Sequence, residues 1–448
     1  MEKERFLKKN EKVSKIYHII QCVLFFCILL CGCVVGFLMP LRPKVSDLEK
    51  RTLTEFPKFS KQGFLDGSYL KDMDTWYADT FPFRDQLLAV NSEIQELYGL
   101  RGQQIHGGGN NTGDEIPTGA MTTTASETKE PETTVAESES SSEQTTVAQT
   151  VAPQVHGSIY VDGKQAYGIY YFNLDAANLF IDTVNRMANG LKEQATVYAM
   201  MIPDNSGVLL SESRQKEIGG SDQRAAIDYY YKSMNGNVVQ VPIFDALYEH
   251  REEKIFFATD HHWTALGAYY SYQQFAKAKG IKAHELNEYE KMSFPNFIGS
   301  YYSSTQANEL KNNPETVDAY IPLSTNRMSI TEKSGNQLNW PIVNDVSSYQ
   351  PGNKYSCFIG GDNPYSVIDN PNVSDGSTCL VIKESFGNAF VPFLVDHYQK
   401  VIVVDYRYYN ENLIQLAKEN HVTDVIFANN IEAISGKESM TKLNSMAQ

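Results

Sequence analysis

Residues 19–39 form the longest apolar run in the chain. Twenty-one helical residues would rise about 32 Å, enough for a hydrocarbon slab of about 30 Å. Lys3, Arg5, Lys8, Lys9, Lys12 and Lys15 precede the run. This bias predicts a signal anchor, with a basic cytoplasmic tail at 1–18 and the main domain on the other side of a cell membrane. A cleaved signal peptide is the competing reading, although the run is long for one. Over 84–98, Leu87, Val90, Ile94 and Leu97 recur at steps of three, four and three, with Leu88 widening the stripe and Gly99 supplying a stop. That spacing predicts an amphipathic helix. Periodicity then disappears over 107–155, which is Gly/Asn-rich and then Thr/Ser/Glu-rich, the composition of a disordered insertion.

Beyond 156 a different rhythm begins. Two strand-like stretches flank Asp162-Gly163, and residues 176–188 carry Leu179, Phe180, Ile181, Val184 and Met187 at helical spacing. Strands are expected at 196–202, 238–242, 254–258, 379–383, 400–405 and 423–427. Helices are expected at 243–250, 264–279, 388–397 and 412–419. Such alternation predicts a mostly parallel sheet covered by helices. Residues 295–353 break the rhythm and read as an insertion near a substrate entrance. The plan is therefore a tail (1–18), an anchor (19–39), an N-terminal part (40–106), a low-complexity insertion (107–155) and an α/β domain (156–448).

Composition narrows the function classes. The 448-residue chain is 42% hydrophobic, and its 54 acidic residues exceed its 39 Lys and Arg. No polybasic nucleic-acid surface is indicated, and a real core is. Four of the six cysteines lie in the apolar run, leaving Cys357 and Cys379 in the main domain. A disulfide between them would contribute roughly 3 kcal/mol, and two unpaired thiols are the alternative. No nucleotide, flavin or other cofactor site is evident.

Asp260-His261-His262-Trp263 lies where an expected strand ends and a helix begins, a place where functional side chains emerge in α/β proteins. An Asp and a His two positions apart can converge at a bent loop, where the carboxylate orients the imidazole and the imidazole moves a proton. Metal binding by Asp260, His261 and His262, or helix capping by Thr264, remains open at this point. Ser385 follows an apolar strand and precedes a helix, with Gly387 permitting close backbone approach. Such an elbow can expose a nucleophilic hydroxyl, with the Ser385 backbone N–H beside a developing oxyanion.

The segments 259–264, 383–393 and 403–408, with Phe81-Pro82-Phe83-Arg84 earlier, resemble the DHHW protein family, related to the SGNH-like domains of bacterial polysaccharide O-acetylation proteins. The resemblance implies an SGNH-hydrolase-like three-layer α/β fold. It also implies that Ser385 matches the nucleophile, His262 the base and Asp260 the acid. Unlike common SGNH hydrolases, the Asp-x-His element precedes the serine, and no early Gly-Asp-Ser block or distant oxyanion Asn stands out.

The implied activity is serine-dependent O-acyl transfer or O-acyl ester hydrolysis on a cell-envelope or exported polysaccharide, with a membrane-bound O-acyltransferase as partner. Arg407, His261, Trp263, Tyr406 and Asn388 are candidate substrate contacts, the guanidinium by its donors and the rings as a platform. A non-enzymatic carbohydrate-binding or assembly protein and a metal-dependent envelope hydrolase are the competing readings.

Overall fold

In the strand Thr378–Lys383 every side chain is buried, with Cys379 and Val381 packed on one side and Leu380 and Ile382 on the other. An apolar run without alternation is what a central strand covered on both faces requires. The computed structural model describes residues 21, 23–27, 42–46, 51–52, 54–65, 67–84, 113–119, 154–156 and 159–448. It divides into two units, Met1–Gly102 and Gln103–Gln448.

In the first unit, the helix Ser68–Asp79 buries Trp76, which meets Phe56 edge-on at 4.8 Å and carries the Arg42 guanidinium at 3.7 Å from its ring centroid. Among the described residues no helix is long and apolar enough to cross a membrane. Within the expected span, residues 21 and 23–27 are helical, and the others lie outside the described residues. Among the described residues the expected transmembrane helix is thus not found. The single-pass placement, the membrane attachment and the cytoplasmic tail that depended on it are withdrawn. The expected helix at 84–98, Arg84 apart, and most of the insertion at 107–155 also lie outside the described residues.

The second unit opens with an antiparallel meander, β1 (Gln154–His156), β2 (Ile159–Asp162) and β3 (Gln165–Gly168). The next elements are α1 (Leu174–Gly190), β4 (Thr196–Ile202), α2 (Gln223–Ser233), β5 (Val238–Gln240) and α3 (Ala265–Lys279). A separate two-stranded sheet pairs β6 (Glu290–Phe297) with β7 (Glu315–Ile321). After β8 (Met328–Thr331), β9 (Gln337–Trp340) and β10 (Tyr365–Asp369) come β11 (Thr378–Lys383), α4 (Gly387–Leu394), β12 (Lys400–Asp405), α5 (Leu413–Glu419), β13 (Asp424–Asn430) and α6 (Lys437–Ser445).

The main sheet has eight strands in the order β9-β8-β10-β12-β11-β13-β4-β5. From β12 to β5 all neighbours are parallel, and β10, β8 and β9 extend that edge antiparallel. Apolar residues of α3 and α4 cover one face, while those of α1, α2, α5 and α6 cover the other. Part of the expected insertion at 295–353 therefore supplies two strands of the main sheet. The expected strand at 254–258 is absent as such. Its residues form one side of a tight loop closed by a Phe256–Trp263 bridge, by Phe257 N–H to His262 O at 3.2 Å and by Thr264 N–H to Ile255 O at 2.9 Å.

Cys357 and Cys379 are both buried and free, which corrects the expected disulfide. Cys379 sits in the middle layer, packed into the apolar face that it shares with Val381, and behaves as a small hydrophobe.

Candidate functional site

The chain leaves β11 toward one face of the sheet but leaves its neighbours β12 and β13 toward the other. This switch opens a crevice at the carboxyl ends of the strands, where α/β folds place their ligands. Ser385 lies there, in the turn between β11 and α4. The turn is tight because Gly387 approaches Lys383: a Cβ on Gly387 would stand 2.5 Å from the Lys383 Cβ. The eight-residue α4 begins just beyond, so its positive end lies beside the serine.

The loop 258–263 reaches the same crevice, where His262 meets Ser385. Buried Glu315 at the start of β7 accepts the N–H groups of Ala258 and Thr259 at 3.0 and 2.7 Å and the Thr259 hydroxyl at 2.7 Å. Thr264 caps α3 through the Gly267 N–H, as the capping reading of that residue anticipated. Between these two anchors Asp260 and His262 face each other. Asp260 Oδ1 accepts from the His262 N–H at 3.0 Å and lies 2.6 Å from His262 Nδ1. Asp260 Oδ2 accepts the Ser300 N–H at 2.7 Å. Gly299 is required here, since a Cβ would fall 2.2 Å from the Asp260 Cβ. His262 Nε2 lies 2.8 Å from Ser385 Oγ.

Burial alone would raise the Asp260 carboxyl, but His262 and then His261 outweigh it, and the carboxyl is held well below the usual carboxylate range. An ionised Asp260 only accepts, so His262 Nδ1 carries the proton and Nε2 of the neutral ring accepts from the serine hydroxyl. Tyr355 stacks on the His262 ring at 3.9 Å and donates to Ser385 O at 3.2 Å, bracing both partners.

His261 places Nδ1 2.6 Å from Ser300 Oγ. Burial first and His262 second push its imidazole down, to about 4. Asp260, His261 and His262 each present one metal-ligating atom within 4.8 Å of the others. Both His262 nitrogens are engaged by Asp260 and Ser385, so a cation there would displace a hydrogen bond of this chain.

Trp263 and Tyr406 are 0% and 1% exposed, and donate to Phe386 O at 2.9 Å and Ala433 O at 3.4 Å. The expected aromatic platform is therefore not formed, because both rings are needed in the core. Asn388 is buried and donates to Asp362 Oδ1 at 3.0 Å. Arg407 forks onto Asp405 at 2.9 and 2.7 Å and reaches Asp362 at 2.9 Å. Lys383, 1% exposed, pairs with Asp405 at 3.1 Å. Burial opposes ionisation of Asp362, but Lys383 and then Arg407 hold its carboxyl well below its ordinary value.

This ion-pair network underlies the serine turn, and removing Asp405 leaves Lys383 and Arg407 to share Asp362, at 3.6 and 2.9 Å. Asp405→Ala is expected to cost about 3–5 kcal/mol in urea unfolding of the full chain. A loss below about 1 kcal/mol would mean that Asp362 alone compensates both cations.

Several residues of the site carried no separate signal in the sequence. Ser300, Glu315, Tyr355 and Asp362 come from irregular or inserted segments. Glu384, beside the serine, was readable only as a neighbour. It is buried, burial pushes its carboxyl up, and Oε2 accepts the Phe386 N–H at 3.1 Å while standing 3.4 Å from Ser385 Oγ. Oε1 accepts the Asn430 N–H at 3.0 Å, which ties the serine turn to the end of β13. The Phe386 N–H is thus occupied. The Ser385 N–H meets no acceptor among the described residues, and it is the amide that the elbow reading placed beside an oxyanion.

The family described as DHHW protein matches residues 49–145 and 130–404. A DHHW family protein from Eubacterium siraeum DSM 15702 is 28% identical, with a TM-score of 0.56 over 63% of this chain and 94% of its own. Bacillus cereus PatB1, in a structure with sulfonyl adduct, is 20% identical, with a TM-score of 0.54 over 63% of this chain and 99% of its own. PatB1 in a second structure gives a TM-score of 0.52 at the same identity, over 62% of this chain and 97% of its own. No curated protein matches the chain.

Proposed function

We propose, from the premise that this chain belongs to the DHHW family, that it carries out serine-dependent O-acyl transfer or O-acyl ester hydrolysis on a cell-envelope or exported polysaccharide. The observation that carries this reading is the continuous chain Asp260 to His262 to Ser385, with links of 2.6 and 2.8 Å. Ser385 Oγ attacks the acyl carbonyl as its proton passes to His262 Nε2, and Asp260 stabilises the imidazolium through Nδ1–H. Collapse of the tetrahedral intermediate expels the donor alcohol, which takes that proton, and leaves an acyl-serine. A glycan hydroxyl or water, deprotonated by His262, then takes the acyl group and frees the serine. The positive end of α4 and the open Ser385 N–H favour the negative charge that develops on the carbonyl oxygen.

By analogy with PatB1, whose structure holds a sulfonyl adduct, an arylsulfonyl fluoride is expected to label the full chain once, at Ser385, as read by intact mass and peptide mapping. Absence of any adduct, with glycan binding retained, would favour the non-enzymatic binding protein. The Asp260-His261-His262 ligand set keeps one second reading in play, a metal-dependent hydrolase. Ester turnover is expected to survive EDTA. Loss on chelation, restored by zinc, would replace the serine mechanism with that reading.

A further inference from the structure

Beyond the serine, the same edge of the sheet carries a cleft of about 650 Å³ lined by three loop segments together with Leu416 of α5 and Lys442 of α6. One is the hairpin tip between β8 and β9, another the entrance to β10, and the third the turn after β12. All three lie at the end of the sheet where Ser385 lies, because Thr331 pairs with Tyr365 and Tyr365 with Val404. The cleft is joined to the candidate active site by a short chain of contacts. Arg407 in its wall binds Asp362, Asp362 binds Asn388, and the Asn388 N–H donates to Ser385 O at 3.2 Å.

The wall is aromatic and cationic. Tyr365 and Tyr409 stack at 6.2 Å, and the Tyr408 ring is flanked by Lys333 Nζ at 3.4 Å and the Arg407 guanidinium at 5.4 Å from its centroid. The charges of the cleft are not equally available. Arg407 is matched by Asp405 and Asp362 through Nε and Nη2, although its Nη1 has no acceptor among the described residues. Lys442 is turned onto Arg407 O at 2.8 Å. Glu411 accepts from the Tyr409 hydroxyl at 3.3 Å and Glu332 from the Ser334 hydroxyl at 3.4 Å. Lys333 has no carboxylate partner among the described residues and rests only on an aromatic face, a weak contact that a ligand anion can replace or share.

We propose that this cleft is a subsite for a carboxylate-bearing sugar of the polysaccharide acceptor, with Lys333 meeting the carboxylate and Tyr408 and Arg407 Nη1 meeting the neighbouring hydroxyls. The proposal rests on the acyl-transfer reading for its role, but not for its binding. The chain's formal charge of −15 opposes long-range attraction of an acidic polymer, so recognition there must be short-range.

The test is calorimetric titration of the full chain carrying Ser385→Ala, with a galacturonate hexamer, a muramic-acid-containing tetrasaccharide and neutral cellohexaose. An added Lys333→Gln is expected to weaken binding of one or both acidic oligosaccharides by up to about fivefold, the size of one exposed charge contact, and to leave cellohexaose unchanged. Which acidic probe responds separates a ring carboxylate from a lactyl ether carboxylate. Equal binding of acidic and neutral probes, no binding of the acidic ones, or indifference to Lys333→Gln would overturn the subsite. Lys333→Gln in the chain with Ser385 intact is expected to leave small-ester turnover unchanged and to raise KM for an acidic acceptor. Loss of ester turnover in the native chain with acidic binding intact would sink the acyl-transfer reading alone.

Discussion

Ser385→Ala is expected to reduce turnover of a small activated acyl ester by about 10⁴-fold or more, because nucleophile and base act as one unit. The hydroxyl takes part in only one short side-chain contact, to His262 Nε2 at 2.8 Å. Its removal should therefore cost no more than about 1.5 kcal/mol of stability. Activity and urea midpoint measured on the same preparation separate the two effects. A variant that keeps a tenth of native turnover with an unchanged midpoint would show that ester cleavage does not pass through Ser385. On the proposed acyl-transfer reading the imidazole of His262, in short contact with the hydroxyl, is the base, while Glu384 at 3.4 Å is the more distant acceptor and has its own backbone donors.

The second large effect is expected from Asp260→Asn. Both carboxylate oxygens accept backbone N–H groups, from His262 on one side and Ser300 on the other. An amide keeps only one acceptor, so its NH₂ must face a donor and either unseats the Ser300 amide or imposes the wrong tautomer on His262. Turnover is expected to fall by about 10⁴-fold, with about 1–3 kcal/mol of destabilisation from the unmade hydrogen bond. Near-native turnover in a folded variant would show that Asp260 is structural.

The sign of the pH effect follows from the same contacts. Asp260 has a depressed folded value, so its contribution to stability is complete above the unfolded carboxylate range, near pH 4, and is lost only as pH falls further below it. Mild acid should therefore not unseat Asp260.

Much of the α/β plan was legible because burial on both faces leaves a continuous apolar run that needs no partner to be recognised. Strands 196–202 and 400–405 were read with the bounds they have. The helix after Thr264 was readable from its cap and apolar residues. Residues 254–258 misled for the same reason: an apolar run also suits a loop pressed into the core, and Ile255, Phe256 and Phe257 are buried there without a sheet neighbour. The expected disulfide failed because two cysteines in one domain carry no information about distance, and each thiol found an apolar site of its own.

The candidate residues Asp260, His262 and Ser385 could be named from local spacing and family resemblance, since a bent Asp-x-His segment and a serine elbow are written within a few positions. Their meeting could not, because 123 positions separate His262 from Ser385 and only the sheet sets that distance. The tertiary structure also decided which named side chains are open to a ligand. It buried Trp263 and Tyr406, committed Arg407 to two carboxylates through Nε and Nη2, recruited Ser300 and Tyr355 from segments whose pattern was silent, and gave Glu384 a place beside the serine that its position alone did not assign. Hydrophobic periodicity is a property of neighbours along the chain, whereas hydrogen-bond partners and exposure belong to neighbours in space.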